Sequence, residues 1–513
     1  MNQENQELTC AEIVELIQDK LPALFFVFSR GRTEILAQEL SREWDFLTPE
    51  EKIRSQELIR AAETEFAGSF SGSGWNTLKR LLAQGVAYHH AGMLPPVKYL
   101  VETLYSQRLV WVVFCTETFA AGVNFPAASA VFDSTRKWDG HDFRILQNRE
   151  FYQMAGRAGR RGFDEAGHAI IRIDARFPEQ TGFFDNNKIE PVSGRLTISP
   201  NTVLSLLRYK TDQEIDRFLK DNFRIYQINL KVEELSGQIT ELKEYIEEIK
   251  VTLCPHCLTM KCPVERDKVS KKLRHGRQSK KKRDQLRKEL TDVTGRNCPE
   301  PNKCKNDAEE LRKASQKLTV LEQEHRKTKK QIGGTIKEFD EVRNLLEKLG
   351  YLKDRQFYPR GLFALELHVQ EIFVTELVFS GLVEEADPAE VAAVLAGVEF
   401  SSGRNMGANW LEAASMEEVS QLRWELLGMG VPERFCLWSD IPGALAYHWY
   451  QGTGFNELLE MSNMQPGDLF SIFRREIDLL RQIERAAGEN ATLAEKAKTI
   501  RNRMDREEVA HCF

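Results

Sequence analysis

The sequence predicts an α/β domain built on a doubly wound parallel sheet, followed by a mostly helical remainder. Residues 1–180 contain four continuous apolar runs rich in aromatic and β-branched side chains: "ALFFVFS" (23–29), "LVWVVFC" (109–115), "ASAVFD" (128–133) and "HAIIRI" (168–173). Such runs are typical of strands that are buried on both faces of a parallel sheet. Helix-length polar stretches lie between them, for example at 34–44 and 95–106. Strands and helices that alternate in this way predict the doubly wound layout.

From about residue 195 the pattern becomes helical. Residues 195–225 and 335–367 predict a winged helix, because Gly and Pro residues within 350–362 interrupt the helical pattern as a small β-wing requires. Residues 226–334 carry Leu and Ile at helical spacing among many charges, which predicts two long helices of opposite direction that form a stalk. Residues 368–513 are amphipathic and predict an all-α helical bundle.

Length and composition limit the class of protein without identifying a partner. A chain of 513 residues suits about three domains, and an apolar content of 42% is enough for a sizeable core. The formal net charge is only −6, so overall charge favours no particular ligand. We find no run of the ~18 apolar residues that a membrane span requires. The first ten residues, "MNQENQELTC", lack the layout of a signal peptide. We therefore predict a cytoplasmic protein that does not enter a membrane.

The stretch "QMAGRAGRRG" (153–162) combines glycines with arginines. Glycine permits a close approach to a ligand or a tight turn, which makes Gly156 a candidate for nucleotide binding. The planar guanidinium group of arginine can donate two parallel hydrogen bonds to a phosphate. An arginine that reaches a γ-phosphoryl group can accelerate its transfer by ~10³–10⁵. Charge alone leaves a solvated basic helix start equally open.

Four stretches in order decide between these interpretations. "FVFSR" (26–30), "YHHAGMLP" (88–95) and "TETFAAGVNFPA" (116–127) precede "QMAGRAGRRG" at suitable distances. Together they resemble the second RecA-like domain of superfamily-two helicases, and specifically the superkiller-type, exosome-associated DExH RNA helicases. The resemblance is strong over 21–175 and looser over the rest of the chain.

The resemblance implies a role for individual residues. Arg157 and Arg160 match the family arginines that face the ATP γ-phosphate, and Gln153 matches the glutamine that orders the nucleotide and the attacking water. Gly122 and Asn124 match the segment between nucleotide and nucleic acid. The resemblance further implies contacts near the nucleic-acid backbone, by Ser29, Arg30, His90 and Thr116. A hydroxyl such as that of Thr116 at the carboxyl end of a strand also suits a phosphate on chemical grounds.

The other half of an ATP site is not found in the sequence. No G-x-x-x-x-G-K-[ST] loop for phosphates and Mg²⁺ occurs, and no DExH-type acidic motif occurs. "FSGSGWNTLKR" has glycines without that spacing. We therefore expect that the first RecA-like domain is missing or is a separate subunit, and that ATP and Mg²⁺ are shared with that P-loop/DExH domain. The alternative is a catalytically inactive nucleic-acid-binding or scaffold subunit with a helicase-like fold.

Five cysteines occur within about fifty residues of the predicted stalk. "CPHC" and "CPEPNKC" supply two pairs of close cysteines, and a Zn²⁺ ion takes four tetrahedral ligands. We predict a zinc site, with an iron–sulfur cluster or unliganded thiols as less favoured alternatives. The predicted ligands are Cys254, Cys257, Cys298 and Cys304, with Cys262 and His256 as substitutes.

The cysteines bracket a strongly basic segment, "KKLRHGRQSKKKRDQLRKEL" (271–290). We predict that Lys280, Lys281 and Lys282 contact RNA or DNA, because a run of cations neutralises phosphates in a salt-dependent way. A solvated helix face or an acidic protein partner is the alternative. The superkiller-type family inserts an arch-like stalk within its winged helix at this point in the chain. The nucleic-acid channel of that family implies that Arg474 contacts nucleic acid. Trp449 is predicted to be a packing residue.

Overall fold

The structure is a computed structural model of the chain. It describes residues 8–122, 126–159, 164–174, 189–252, 270–271, 273–274, 279–291, 301–401, 407 and 413–510. The chain divides into two compact units, and each is described by itself. The first unit is Met1–Val192 with Leu346–Phe513, and the second is Ser193–Leu345.

The first unit begins with a parallel α/β fold. Its strands are β1 (Ala23–Phe26), β2 (Val86–His89), β3 (Val112–Cys115), β4 (Ser129–Phe132), β5 (Arg136–Trp138), β6 (Phe143–Ile145) and β7 (His168–Ile171). Five of these strands form one sheet in the order β2-β3-β1-β4-β7, and every neighbouring pair is parallel. Strands β5 and β6 form a separate antiparallel hairpin. The predicted parallel sheet is confirmed, and β2 is the strand that the apolar runs did not predict.

Helices connect the strands of this sheet. They are α1 (Cys10–Leu16), α2 (Arg30–Glu43), α3 (Pro49–Glu65), α4 (Gly72–Leu82), α5 (Pro95–Ser106), α6 (Glu117–Gly122) and α7 (Asn148–Ala155), with short 3₁₀ turns at Gln18–Lys20 and Ala67–Ser69. The start of α3 shows why these boundaries occur. Thr48 and Glu51 form a capping box, and Pro49 occupies the first turn, where its missing N–H costs nothing.

Aromatic packing joins the sheet to α7. Strands β1 to β4 are buried along their whole length, as their continuous apolar sequences predict. The ring of Phe132 on β4 lies 5.5 Å from that of Phe26 and 4.7 Å from that of Phe151 on α7. Since Phe151 is two residues before Gln153, this contact fixes the helix that leads into "QMAGRAGRRG".

The second unit contains helices and no strand among its described residues. Its helices are α8 (Pro200–Tyr209), α9 (Asp212–Lys220), α10 (Phe223–Thr252), α11 (Lys280–Thr291) and α12 (Pro301–Lys348), the last of which ends in the first unit. Helices α10 and α12 run in opposite directions, because Lys231 pairs with Glu324 whereas Tyr245 bonds to Glu310. A small apolar core lies between them, formed by Ile246, Ile249, Leu311 and Ala314. The predicted pair of opposed charged helices is confirmed.

The rest of the first unit is mainly helical. A two-stranded hairpin, β8 (Leu352–Lys353) and β9 (Gln356–Phe357), lies where the β-wing was predicted. The helices that follow are α13 (Pro359–Leu365), α14 (Glu371–Phe379), α15 (Leu382–Glu385), α16 (Pro388–Ala396), α17 (Ala414–Gly428), α18 (Gly443–Gln451), α19 (Phe455–Glu460), α20 (Pro466–Ala486), α21 (Ala491–Met504) and α22 (Glu507–Ala510), with a 3₁₀ turn at Glu433–Phe435. Of the two segments of the predicted winged helix, 195–225 lies in the second unit and 335–367 continues from the second unit into the first. That domain therefore stays a prediction, as do the exact domain limits.

Trp449 organises the core of this helical part. Its side chain is 0% exposed and stacks on Phe473 with a centroid distance of 5.4 Å. Its indole N–H donates to the carbonyl oxygen of Met504 at 2.9 Å, and the guanidinium of Arg506 lies 3.5 Å from the ring centroid. One side chain therefore joins α18, α20 and α21, which confirms the predicted packing role.

Truncation of this side chain should destabilise the fold. We expect Trp449→Ala to lower the free energy of unfolding by about 3–5 kcal/mol, because a large buried aromatic group leaves a cavity. Chemical denaturation followed by circular dichroism measures the change. Trp424 is 69% exposed, so Trp424→Ala is the matched control and should change the free energy by less than about 0.5 kcal/mol. Equal losses for both variants would contradict the packing role.

Candidate nucleotide and nucleic-acid interface

Three predicted nucleic-acid contacts lie at one edge of the sheet. Ser29, His90 and Thr116 follow the carboxyl ends of β1, β2 and β3, which are adjacent in the sheet. The backbone N–H of Thr116 donates to the carbonyl oxygen of His89 at 3.2 Å, which ties the ends of β2 and β3 together. Parallel strands thus bring together residues that are far apart in the sequence.

Ser29 and Thr116 suit a phosphate contact. Ser29 is exposed and precedes α2, where its side chain makes no capping bond. The hydroxyl of Thr116 lies 2.8 Å from that of Thr118 at the start of α6. Hydroxyls and backbone N–H groups at helix starts are suitable donors to an anion.

His90 is placed differently from its neighbours. Its side chain is 2% exposed, and its Nε2 lies 3.1 Å from Oε1 of Glu34. The backbone N–H of Gly92 donates to its Nδ1 at 3.1 Å. Both ring nitrogens therefore have partners inside the protein, and a contact with a nucleic-acid backbone stays a prediction.

Two predicted arginines form ion pairs within the protein. Nη1 of Arg30 donates to Oδ2 of Asp468 at 2.8 Å, and Nη1 of Arg474 donates to Oδ1 of Asp505 at 3.0 Å. Arg474 also donates to the carbonyl oxygen of Val509 at 3.3 Å. A phosphate would have to compete with these carboxylates for either cation, so their contacts with nucleic acid stay predictions.

Gly156 and Arg157 lie beside the opposite, amino end of β4. The chain returns from the carboxyl end of β3 through α6, where Gly122 is the last residue, and α7 carries the exposed side chain of Gln153. The backbone N–H of Ala127 donates to the carbonyl oxygen of Arg157 at 2.9 Å, just before β4 begins. Arg157 is half-buried and follows Gly156 directly. Asn124 and Arg160 lie outside the described residues.

The glycines of "QMAGRAGRRG" allow backbone segments of the chain to touch. Gly159 has a φ of 94°, a left-handed conformation that favours glycine. A Cβ on Gly167 would overlap the carbonyl group of Ala158 and would lie 2.7 Å from the backbone nitrogen of Gly159. At Gly159, therefore, the close approach is to the protein's own backbone.

The sequence did not predict an ion-pair cluster that positions α7, the helix that leads into "QMAGRAGRRG". Glu150 on α7 accepts two bonds from Arg144, each of 2.8 Å, and its Oε1 lies 2.9 Å from Nζ of Lys137. Lys137 also donates to Glu117 on α6 at 2.7 Å. The β5–β6 hairpin thus links α6 to α7. Residues 144–150, which include Arg144 and Glu150, match no recognisable motif. Only the β5–β6 hairpin brings the members of the cluster together.

The cluster keeps the Glu150 carboxylate ionised. Hydrogen bonds from Arg144 lower the pKa of Glu150 to about 2, and bonds from Lys137 and the backbone N–H of Gln147 add to this effect against partial burial. Its side chain is 19% exposed, so solvent screens the cluster less than a surface pair.

The stalk tip is described only in part. Lys280, Lys281 and Lys282 begin α11 and are exposed, as nucleic-acid contacts need to be. Cys254, Cys257 and Cys298 lie outside the described residues, and so does the side chain of Cys304. Among the described residues, no group of three or more His, Cys, Asp or Glu side chains could hold a metal ion. The zinc site therefore has no structural support and stays a prediction.

Comparisons with known proteins identify two domains. Residues 65–162 match the helicase conserved C-terminal domain, and residues 354–511 match the DSHCT (NUC185) domain. The chain is 40% identical over 192 residues to Superkiller complex protein 2 of Mus musculus. The predicted resemblance to the superkiller-type DExH RNA helicases is confirmed by these two domains and by this relative. The chain is also 35% identical over 239 residues to the DExH-box ATP-dependent RNA helicase DExH10 of Arabidopsis thaliana, and 35% identical over 201 residues to Exosome RNA helicase MTR4 of Homo sapiens.

Each similarity covers part of both proteins. The matched residues are 37%, 45% and 38% of this chain for the mouse, plant and human superkiller-type relatives, respectively. They are 15%, 24% and 19% of the relatives themselves, so the chain matches about a quarter of their length or less. None of the described helices is both long and apolar enough to cross a bilayer.

The Glu150 cluster gives a pH-dependent prediction. A carboxylate whose pKa is lower in the folded state stabilises the fold above its unfolded-state pKa of about 4.3 and loses that effect as the pH falls towards 2. We expect Glu150→Gln to lower the free energy of unfolding at neutral pH by about 1–3 kcal/mol, because bonds to a charged group are lost. Denaturation of both proteins between pH 7 and pH 2.5 measures this difference.

The difference between the proteins should shrink below about pH 4.3, where the wild-type carboxylate begins to take up a proton in the unfolded state. Glu15 is exposed on α1, and Glu15→Gln is the control, with a small and nearly constant difference. A difference for Glu150→Gln that stays constant over the whole range would refute the ionised cluster.

Proposed function

We propose that this chain is the C-terminal portion of an ATP-dependent RNA helicase. The observation that carries the proposal is the position of "QMAGRAGRRG" after α7, on a parallel sheet whose residues 65–162 match the helicase C-terminal domain. In a helicase with two RecA-like domains, this stretch faces a nucleotide that the other domain holds. RNA is favoured over DNA because two of the three relatives named above are called RNA helicases.

Arg157 and Arg160 are proposed to act as arginine fingers. They would stabilise charge on the γ-phosphoryl group of ATP, while Gln153 orders the attacking water. The sequence contains no P-loop and no DExH motif, so a P-loop/DExH domain, on this or another polypeptide, would supply the phosphate cradle and Mg²⁺. Gly122, Asn124 and Gly156 would lie beside the nucleotide.

The nucleic acid is proposed to cross the carboxyl edge of the sheet. Ser29 and Thr116 offer exposed or half-exposed hydroxyls there, and Lys280 to Lys282 add cations at the stalk tip. We further propose that 195–225 with 335–367 forms a winged helix, that 226–334 is the stalk and that 368–513 is a helical bundle. Such an RNA-dependent activity places the protein inside the cell.

A zinc ion is proposed to hold the stalk tip together. The residues that would bind it are Cys254, Cys257, Cys298 and Cys304. A thiolate-bound metal would give this highly charged tip a small core of its own. Metal analysis of the purified protein tests this, and less than about half an equivalent of zinc or iron would count against the site.

A second function is a scaffold subunit that binds nucleic acid without hydrolysing ATP. The ion pairs Arg30–Asp468 and Arg474–Asp505 favour it, because two of the predicted contacts have partners inside the protein. The two functions differ in one observation. An active helicase portion, joined to a P-loop/DExH partner, hydrolyses ATP in response to RNA, whereas a scaffold does not.

The arginine-finger prediction concerns Arg157. We expect no ATP hydrolysis by the chain alone and RNA-stimulated hydrolysis when it is combined with a P-loop/DExH partner. Arg157→Ala should lower the rate of the combined proteins by ~10³ or more, because a finger stabilises the transition state rather than ATP binding. A coupled phosphate-release assay measures this rate. Arg42 is exposed at the end of α2, and Arg42→Ala should leave the rate unchanged.

The nucleic-acid prediction concerns the lysines at the stalk tip. Replacement of Lys280, Lys281 and Lys282 by Glu should weaken RNA binding. It should also reduce the slope of log affinity against log salt by about 2, since each lost phosphate contact on a single strand contributes ~0.7. Fluorescence anisotropy at several salt concentrations measures the slope. The control reverses Lys327, Lys329 and Lys330, which are exposed on α12. Equal slopes for both variants would favour a merely solvated face.

A further inference from the structure

A groove lies in the helical part of the first unit, within the residues that match the DSHCT (NUC185) domain. One wall is a single face of α17, because the lining residues at 414, 415, 418, 421, 422 and 425 recur at helical spacing. The facing wall comes from Ser380, which follows α14, from α15 and from the start of α16. The groove encloses about 460 Å³.

Four carboxylates and, among the described residues, no basic side chain line this groove. Glu385 and Glu390 come from one wall, and Glu418 and Glu425 come from the other. In the part of the chain that the structure describes, none of the four forms an ion pair. These four residues and the space between them are called the glutamate groove.

Two basic residues close to the glutamate groove in the sequence have partners elsewhere. Arg423 on α17 pairs with Glu433, with 2.8 Å between the nitrogen and oxygen atoms. Nζ of Lys496 on α21 donates to the backbone carbonyl oxygens of Glu384 and Ala386, at 2.7 and 2.5 Å. Neither side chain neutralises the four carboxylates, so their like charges attract a cation from outside.

A buried hydroxyl belongs to the same lining. Ser415 is 3% exposed, and its Oγ has no hydrogen-bond partner among the described residues. A buried polar group without a partner is costly, so the fold leaves one hydrogen bond for a ligand to make. Leu382 and Leu422 add apolar surface to the lining, on which the methylene chain of a lysine or arginine packs.

A single metal ion does not match this arrangement. Among the described residues, no group of three or more His, Cys, Asp or Glu side chains could hold a metal ion, so the four carboxylates are too widely spaced to share one. Nucleic acid is repelled, because its phosphates carry the same charge as the glutamates. An extended ligand that carries several cations on apolar stems fits instead.

We propose that the glutamate groove binds a lysine- and arginine-rich segment of another protein. The cations of that segment pair with the four carboxylates, and a guanidinium group donates two parallel hydrogen bonds to the carboxylate that it meets. The hydroxyl of Ser415 supplies one further hydrogen bond. This interface shares no residue with the proposed ATP and RNA sites, so it does not depend on the proposed helicase function.

Fluorescence anisotropy of a labelled eight-residue peptide of alternating lysine and arginine tests the groove on the full chain. Replacement of all four glutamates of the groove by Gln should weaken binding by about tenfold or more, because the charge-assisted pairs are lost. The matched control replaces by Gln four exposed glutamates of the same helical part: Glu366, Glu417, Glu457 and Glu489. This control changes the net charge equally and should weaken binding by less than about twofold. Equal weakening in both variants would overturn the proposal, since overall charge alone would then attract the peptide.

Ser415→Ala tests the hydrogen bond without a change of charge. It should weaken peptide binding by about threefold, because one neutral hydrogen bond is lost. Ser420 is on the same helix and does not line the groove, so Ser420→Ala should bind the peptide as the wild type does. Wild-type affinity in Ser415→Ala would refute the role of the hydroxyl.

The identity of the occupant is tested with the same assay. A wild-type chain that binds labelled spermine but not the peptide would overturn the protein partner in favour of a small polycation. Residues 402–406 lie outside the described residues, and Arg404 is the cation among them. Peptide binding that occurs only in Arg404→Ala would assign the groove to this segment of the chain itself, which would also overturn the proposal.

Discussion

The parallel pairing of β1 with β3 on one side and β4 on the other determines where the candidate residues lie. Parallel strands all end at one edge of a sheet, so residues that follow β1, β2 and β3 meet there. The chain must then return to the amino edge before it can begin another strand. It does so through α6 and α7, which therefore carry a second set of candidate residues to the opposite edge. One strand of four residues separates the two edges by roughly 13 Å.

Some charged side chains of this molecule form ion pairs within the protein, and others are exposed. Glu150 joins α7 to the β5–β6 hairpin, and Arg30 joins α2 to the start of α20. The lysines at the start of α11 are exposed instead. Counting cations in the sequence does not separate these roles, because the difference depends on which carboxylates the fold brings close. A cation on an exposed stalk helix remains available to a phosphate.

The sequence predicts those parts of the fold that depend on local pattern. Strands β1, β3 and β4 were recognisable because burial on both faces demands continuous apolar residues. Strand β7 was also recognised from its apolar run, although its residues are half-buried or exposed. The opposed helices of the second unit were recognisable because Leu and Ile recur at helical spacing. Strand β2 was missed, since "VAYH" is short and contains a histidine. The four helicase motifs predict a nucleotide site in the α/β part, and of its predicted residues Asn124 and Arg160 lie outside the described residues. No local pattern could have revealed the Arg30–Asp468 pair, whose members are 438 positions apart.

The backbone N–H of Gly467, at the start of α20, donates to the carbonyl oxygen of Gly92 after β2 at 2.9 Å, and this contact has a consequence for the interpretation of mutational data. Its hydrogen bond uses a backbone amide and a backbone carbonyl, so truncation of the neighbouring side chains removes neither of the bonded atoms. A conventional alanine scan detects joints that are made of side chains. At Gly92 and Gly467, alanine is larger than the native residue, so the scan would add a methyl group there instead of removing side-chain atoms. Gly467 would be the sensitive position, because a Cβ there meets backbone atoms, whereas a Cβ on Gly92 meets the movable end of the Gln465 side chain.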